Sequence, residues 1–343
     1  MPRSEVVVIT GASAGVGRAT VREFARHGAS IGLVARGLDG LRAAKREVEA
    51  AGGRALVLPA DVSDADQVER AASLVERKFG PIDIWVNDAM TSVFSPIKKM
   101  TATEFKRVTE VTYLGYVYGT LAALKRMLPR DRGTIVHVGS ALAYRSIPLQ
   151  AAYCAAKHAI LGFHTSLRTE LLHDHSHVHT VMVQMPALNT PQFGWVKSRL
   201  SHKAQPVPPI YQPEVAARAI YYAAHHPGRR EYYAAWSAVV AIMGNKLAPW
   251  LADRYLARTG YQSQQYDGLD NPNRPNNLWK PVPGDHGAHG KFDGRARSSS
   301  LEQWAECHPR WLMAVALGGI AGLYVAMKNN SAEQVQPELR KAA

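Results

Sequence analysis

The sequence predicts an α/β protein: a doubly wound, mainly parallel sheet with helices on both faces, plus a C-terminal extension. Two observations carry that reading. Short apolar, β-branched runs alternate with helical patterns between Val6 and Met185, and a glycine-rich turn follows the first run. The runs are continuously apolar rather than alternating, which is how strands buried on both faces read.

In chain order, Val6–Ile9, Ser30–Ala35, Ala55–Leu58, Ile82–Val86, Thr134–Val138 and Val178–Met185 are the expected strands. Gly15–His27, Leu38–Ala51, Asp64–Phe79, Thr101–Leu128 and Gln150–Leu172 are the expected helices between them. Repeated β-α units of this kind join by right-handed crossovers. A further helix is expected from Pro213 to His226, with Glu214 in its first turn, then a last strand at Glu231–Ala235. Ala238–Arg258 reads as helical with a break at Pro249. Asn271–Gly290 is dense in Pro, Gly and Asn and reads as a linker or a surface meander; Gly294–Ser300 reads as a polar, mobile stretch. The expected organisation is a main domain over 1–260 with a lid over 190–235, an irregular extension over 261–310, an apolar helix over 311–327 and a polar tail over 328–343.

Composition narrows the function. Of 343 residues, 46% are hydrophobic and 20% charged, which excludes a mostly disordered chain. Two cysteines, Cys154 and Cys307, exclude a disulfide framework or a Cys-rich zinc module and suit a reducing compartment. The net charge of +13 suits nucleic acid, an anionic membrane, an anionic cofactor or solubility alone. No run of Lys and Arg is interleaved with aromatics, so nucleic acid is not the expected partner. His173, His175, His177 and His179 alternate, but only Asp174 accompanies them; a solvated loop is expected there, and no metal. The N-terminal apolar run is too short for a signal peptide, so the chain is expected in the cytoplasm. Trp311–Met327 carries no charge and as a helix would span about 25 Å, against a hydrocarbon core of ~30 Å. Gly318 and Gly322 sit four apart in it, the spacing of a close packing face in membranes. Membrane contact through this segment, with the rest facing the cytosol, is the expectation; a buried helix, or one packed on a partner, stays open.

The turn Gly11-Ala12-Ser13-Ala14-Gly15-Val16-Gly17 lies between an expected strand and an expected helix. Glycines let the backbone approach a pyrophosphate, and the helix start offers N–H groups and a positive dipole end. The second strand ends in Ala35-Arg36, where a carboxylate would serve the ribose hydroxyl of NAD. A guanidinium suits a 2′-phosphate, with Arg18 placed to assist, so NADP(H) is expected over NAD(H). Tyr153 and Lys157 are four apart on a helical pattern and share a face. Ser140 follows the Thr134–Val138 strand, at the carboxyl end where sites in parallel sheets lie.

Thr10–Gly17, Ser140, and Tyr153 with Lys157 together resemble the short-chain dehydrogenases/reductases over residues 5–235. The resemblance implies a Rossmann-type fold and a carbonyl–alcohol oxidoreductase in which Tyr153 is the acid/base, Ser140 polarises the carbonyl, and Lys157 lowers the tyrosine pKa and holds the nicotinamide ribose. It places Asp61 and Val62 at the adenine and Pro186 through Thr190 at the nicotinamide end. It also implies a homo-oligomer. Two positions depart from the family pattern. Asn87-Asp88-Ala89-Met90 keeps Asn87 and Ala89 but has Met90 for a glycine, and Thr112 stands where the family carries a catalytic asparagine. Those departures keep open a second reading, an NADP(H)-binding scaffold or membrane-linked regulatory protein with little turnover. Phe193, Trp195, Pro206–Tyr211 and Trp236 are expected to line a lid over an apolar substrate.

Overall fold

The structure, a computed structural model, describes residues 4–300; the apolar segment 311–327 and the tail after it lie outside the described residues. The chain runs β1 (Val6–Thr10), α1 (Gly15–Arg26), β2 (Ser30–Ala35), α2 (Leu38–Ala50), β3 (Arg54–Pro59), α3 (Ala65–Phe79), β4 (Ile84–Asn87), α4 (Ala102–Thr109), α5 (Gly115–Met127), β5 (Gly133–Val138), α6 (Ala151–His173), β6 (Val178–Gln184), α7 (Pro213–His225), β7 (Glu231–Tyr233), α8 (Trp236–Leu247) and α9 (Pro249–Thr259). The seven strands form one parallel sheet in the order β7-β6-β5-β4-β1-β2-β3. The chain grows outward from β1 to β3, then returns to β4 on the other side of β1. The order therefore reverses between β1 and β4, and a crevice opens above the strand ends there.

Successive residues of each strand point to opposite faces. Val7 and Ile9 pack with Phe24, Ile31, Val181 and Ile220 on the α1 and α7 side. Val6 and Val8 pack with Val68, Trp85, Ile135 and Leu167 on the α3, α5 and α6 side. Both faces are covered, so the runs stay apolar throughout, and each fully buried side chain contributes about 1.5–3 kcal/mol. Thr101 caps α4 and closes a reciprocal box with Glu104.

Five expectations need correction. The helix over Thr101–Leu128 is interrupted at Glu110–Leu114 by a π-helical turn. Periodicity does not foresee this, because the turn is fixed by a tertiary contact. The Thr112 hydroxyl donates to the Thr91 carbonyl (2.8 Å) and accepts from the Thr91 N–H (3.0 Å). The stretch Gly294–Ser300 is not loose: Ala296–Arg297 pairs in parallel with Ile210–Tyr211, and Ser300 is buried. Asn271–Gly290 is a meander, but it is bound across the crevice rather than linking two bodies, as described below. The last strand stops at Tyr233, and the break expected at Pro249 falls at Ala248, because proline has no N–H to continue a helix. Among the described residues no helix is long and apolar enough to cross a membrane.

Candidate active site

β1 delivers the chain into the glycine turn. Gly11 lies in the left-handed region (φ +75°), and a Cβ there would stand 3.0 Å from the Ala89 backbone. A Cβ on Gly17 would stand 2.3 Å from the Gly11 carbonyl oxygen, so the turn closes only with glycine at that position. Thr10 ties the turn to β4: its hydroxyl oxygen accepts from the N–H groups of Asp88 (3.0 Å) and Ala89 (3.1 Å). Gly11, Ser13, Gly15 and Val16 face a cavity of about 930 Å³ that runs along the strand ends. That glycine cradle and the cation at the end of β2 fit a dinucleotide.

Arg36, Asp61, Val62, Ala89, Pro186 and Thr190 line the same cavity. Burial pushes the Asp61 carboxyl up, but bonds from Arg107 and Ser63 outweigh it and hold the group below its ordinary value. Four expected site residues do not line the cavity: Gly17, which packs against the Gly11 carbonyl inside the turn, and Arg18, Asn87 and Thr112. Arg18 is buried behind the turn, donating to Glu47, to the Ser13 and Gly40 carbonyls and to Asp285. Asn87 is fully buried, accepting from the Trp85 indole (2.9 Å) and donating to Thr120 (3.2 Å). Thr112 is spent on Thr91.

At the opposite end the acid–base group assembles. Ser140 lies two residues past β5 and caps a short helical turn, its Oγ accepting from the Leu142 N–H (3.1 Å). α6 carries Tyr153 and Lys157 one turn apart on the cavity wall. Ser140 lies close enough to the Tyr153 hydroxyl to favour its phenolate form. Burial pushes the Tyr153 phenol well up, with Ser140 opposing, so in this state it is firmly protonated. Lys157 is 2% exposed; its Nζ donates to the Val138 carbonyl (2.6 Å) and to the Tyr116 hydroxyl (3.1 Å). Burial lowers the Lys157 pKa, and the Asp88 carboxylate opposes that; burial raises Asp88, and Lys157 opposes that in turn.

Three contributors escaped the sequence reading. Tyr116 stands one turn past Thr112, and its hydroxyl accepts from Lys157 (3.1 Å) and donates to the Val138 carbonyl (3.0 Å). Asp88 is the half-buried carboxyl that faces Lys157. Asn189 knits the segment Pro186–Thr190 to the C-terminal extension, donating to Gln212 (3.0 Å) and Asp293 (2.8 Å) and accepting from the Phe292 N–H (3.0 Å). Tyr116 and Asp88 each sit next to a family motif, a signal that marks the position without revealing the contact.

The comparisons with known proteins agree with this geometry. The family model for the short chain dehydrogenase matches residues 5–199. An uncharacterized oxidoreductase YxnA of Bacillus subtilis (strain 168) is 33% identical over 321 residues, covering 93% of this chain and 90% of that protein. Dehydrogenase/reductase SDR family member 7 of Homo sapiens is 39% identical over 170 residues, 48% of this chain and 50% of that one. The 3-dehydrosphinganine reductase of Danio rerio is 35% identical over 193 residues, 55% of this chain and 58% of its own length. Among solved structures, a metagenomic short-chain oxidoreductase in complex with NADP aligns with a TM-score of 0.56 at 27% identity, covering 67% of this chain and 95% of that one. A short chain dehydrogenase/reductase from Burkholderia phymatum in complex with NAD aligns with a TM-score of 0.66 at 20% identity, covering 78% of this chain and 99% of that one, a likeness of fold.

Proposed function

The chain belongs to the short-chain dehydrogenase/reductase family, and from that premise we propose that it is an NADP(H)-dependent oxidoreductase interconverting a lipophilic ketone and its secondary alcohol. The observation that carries this reading is the convergence of Ser140, Tyr153 and Lys157 on one cavity, with Lys157 one turn past Tyr153 and the glycine turn on the far wall. When bound, the cofactor supplies or accepts the hydride.

In reduction, Ser140 donates to the carbonyl oxygen and steadies its developing charge. Tyr153 gives that oxygen its proton. Burial keeps this phenol protonated but opposes release of the proton, so the step depends on stabilising the phenolate. Lys157 stabilises the phenolate left behind, and the Tyr116 hydroxyl and Val138 carbonyl hold the ammonium in place. Asp88 faces the same ammonium and offsets part of its burial.

NADP(H) is favoured by Arg36, a cation at the end of β2 preceded by Ala35 rather than by a carboxylate. A lipophilic substrate is favoured by the cavity mouth, where Trp236, Val240, Tyr255 and Leu256 join Phe193 and Trp195. The same two helices, α8 and α9, leave Trp236 63%, Leu247 80% and Trp250 59% exposed, an apolar surface suited to a poorly soluble substrate. The test is NADPH oxidation by the purified full chain across aliphatic, steroid and aromatic ketones, beside Tyr153→Phe. Turnover that persists in the variant removes Tyr153 from its role, and nucleotide binding without turnover on any ketone favours the scaffold reading.

A further inference from the structure

The meander after α9 forms a wall of the dinucleotide cleft. Its docking is uneven. Leu278 is fully buried among Val93, Val108 and Ala152, and Ala288 is buried against Ala19 and Ala217. Between these two anchors, residues 279–287 lie on the surface and bridge the mouth of the crevice. Pro281, Val282, Gly284 and His286 line the same cavity as the glycine turn and Arg36.

The bridge is held by few contacts, most of them to elements of the phosphate-binding end, and the Arg107 guanidinium lies over the Trp279 ring at 5.9 Å. The Gly287 carbonyl accepts from the Gly15 N–H (3.0 Å) at the start of α1. Asp285 pairs with Arg18 (3.2 Å), and the Gly284 N–H donates to Asp39 (3.0 Å) at the start of α2. Arg36 donates to the carbonyls of Asn277 (2.5 Å) and Trp279 (3.1 Å). Gly284 and Gly287 both take left-handed backbone angles (φ +96° and +62°), which glycine adopts freely. At its far end His286 packs edge-on to Trp195 of the substrate lid, ring centroids 4.5 Å apart.

We propose that residues 279–287 are a flap over the dinucleotide site, hinged at Leu278 and Ala288, that must lift for a nucleotide to enter or leave. Arg36 is then a latch for the flap as well as a cation for the nucleotide, and the His286–Trp195 contact links cofactor closure to the substrate lid. The inference rests on the dinucleotide reading above and extends it to a segment outside the family motifs. Two buried anchors with a thinly held span between them is the arrangement of a lid that moves as a unit.

A covalent lock tests this. A Cβ built at Gly37 lies 3.5 Å from the Pro281 Cβ, within disulfide range, and Gly37 has ordinary backbone angles (φ −82°, ψ 110°). Gly37→Cys with Pro281→Cys, in a Cys307→Ser background of the full chain, is mixed with NADPH. Uptake and release are followed by the change in nicotinamide fluorescence, with oxidised and reduced forms of the same variant compared. The flap requires that the oxidised form lose uptake when locked empty, lose release when locked around nucleotide, and regain both on reduction. Equal exchange in the two forms overturns it, as does failure of the pair to cross-link under oxidant. Asp285→Ala, an exposed change, removes one tether and is expected to speed release; release at the wild-type rate counts against the flap. If the reduced variant and the wild type both bind no NADPH or NADH, the dinucleotide reading fails and the flap falls with it.

Discussion

Tyr116→Phe isolates the account's least expected contact. The substitution keeps the ring, 4.8 Å from the Lys157 ammonium, and removes only the hydroxyl that accepts from it at 3.1 Å. A hydrogen bond to a charged group contributes about 1.5–3 kcal/mol, and 1.36 kcal/mol is one pKa unit. The Val138 carbonyl keeps its own bond to Lys157 at 2.6 Å, and it loses the Tyr116 donor that competes for it. The lower end of the range therefore applies, about one unit. The sign is fixed: burial has already lowered the Lys157 pKa, and losing an acceptor for the ammonium lowers it further. Lysine is charged below its pKa, so the alkaline limb of kcat moves to lower pH by about one unit. The assay is single-turnover ketone reduction at saturating NADPH across the alkaline range. An unmoved limb with a normal melting temperature refutes the positioning role of Tyr116.

Thr112→Val is the counterpart. It strands the buried N–H and carbonyl of Thr91, at about 1–3 kcal/mol for each group, so the melting temperature falls while the alkaline limb stays in place. A shifted limb would return Thr112 to the proton-handling group. Gly17→Ala forces a methyl to 2.3 Å from the Gly11 oxygen; overpacking of this kind costs about 1–3 kcal/mol, and NADPH binding measured by fluorescence should be lost. Intact binding would mean the turn is not the nucleotide cradle. Arg36→Leu should weaken NADPH binding about tenfold or more relative to NADH, from loss of a charge-assisted pair. An equal effect on both nucleotides would leave Arg36 only its contacts to the 277–279 carbonyls.

Most of the sheet was legible because its cause is local. Strands covered on both faces must be apolar at every position, and Ser30–Ala35 matches its expected bounds. The Tyr153–Lys157 pairing was legible because four residues make one helical turn. What the sequence hid is what depends on partners distant in the chain. The residue type at 112 suggested a replacement for asparagine, yet the hydroxyl closes on Thr91, and a side chain one turn later meets the lysine. The Arg18 charge suggested phosphate, but Glu47, on α2, takes it. Most instructive is Asn271–Gly290, whose Pro, Gly and Asn content reads the same for a loose linker as for a segment pinned by single residues. Only Leu278 and Ala288 bury their side chains, too few and too widely spaced to show a period.

The central claim is that Tyr153 protonates a carbonyl oxygen while its carbon receives hydride from a nicotinamide seated on the glycine turn. Reduction of a lipophilic ketone with NADPH deuterated on each face of C4 in turn, read by mass spectrometry of the alcohol, tests it most directly. The account predicts deuterium on the carbinol carbon from one face only with the wild-type chain, and no alcohol from Tyr153→Phe although that variant still binds NADPH. Labelled alcohol formed at the wild-type rate by Tyr153→Phe, or wild-type product carrying no deuterium from either face, would contradict it.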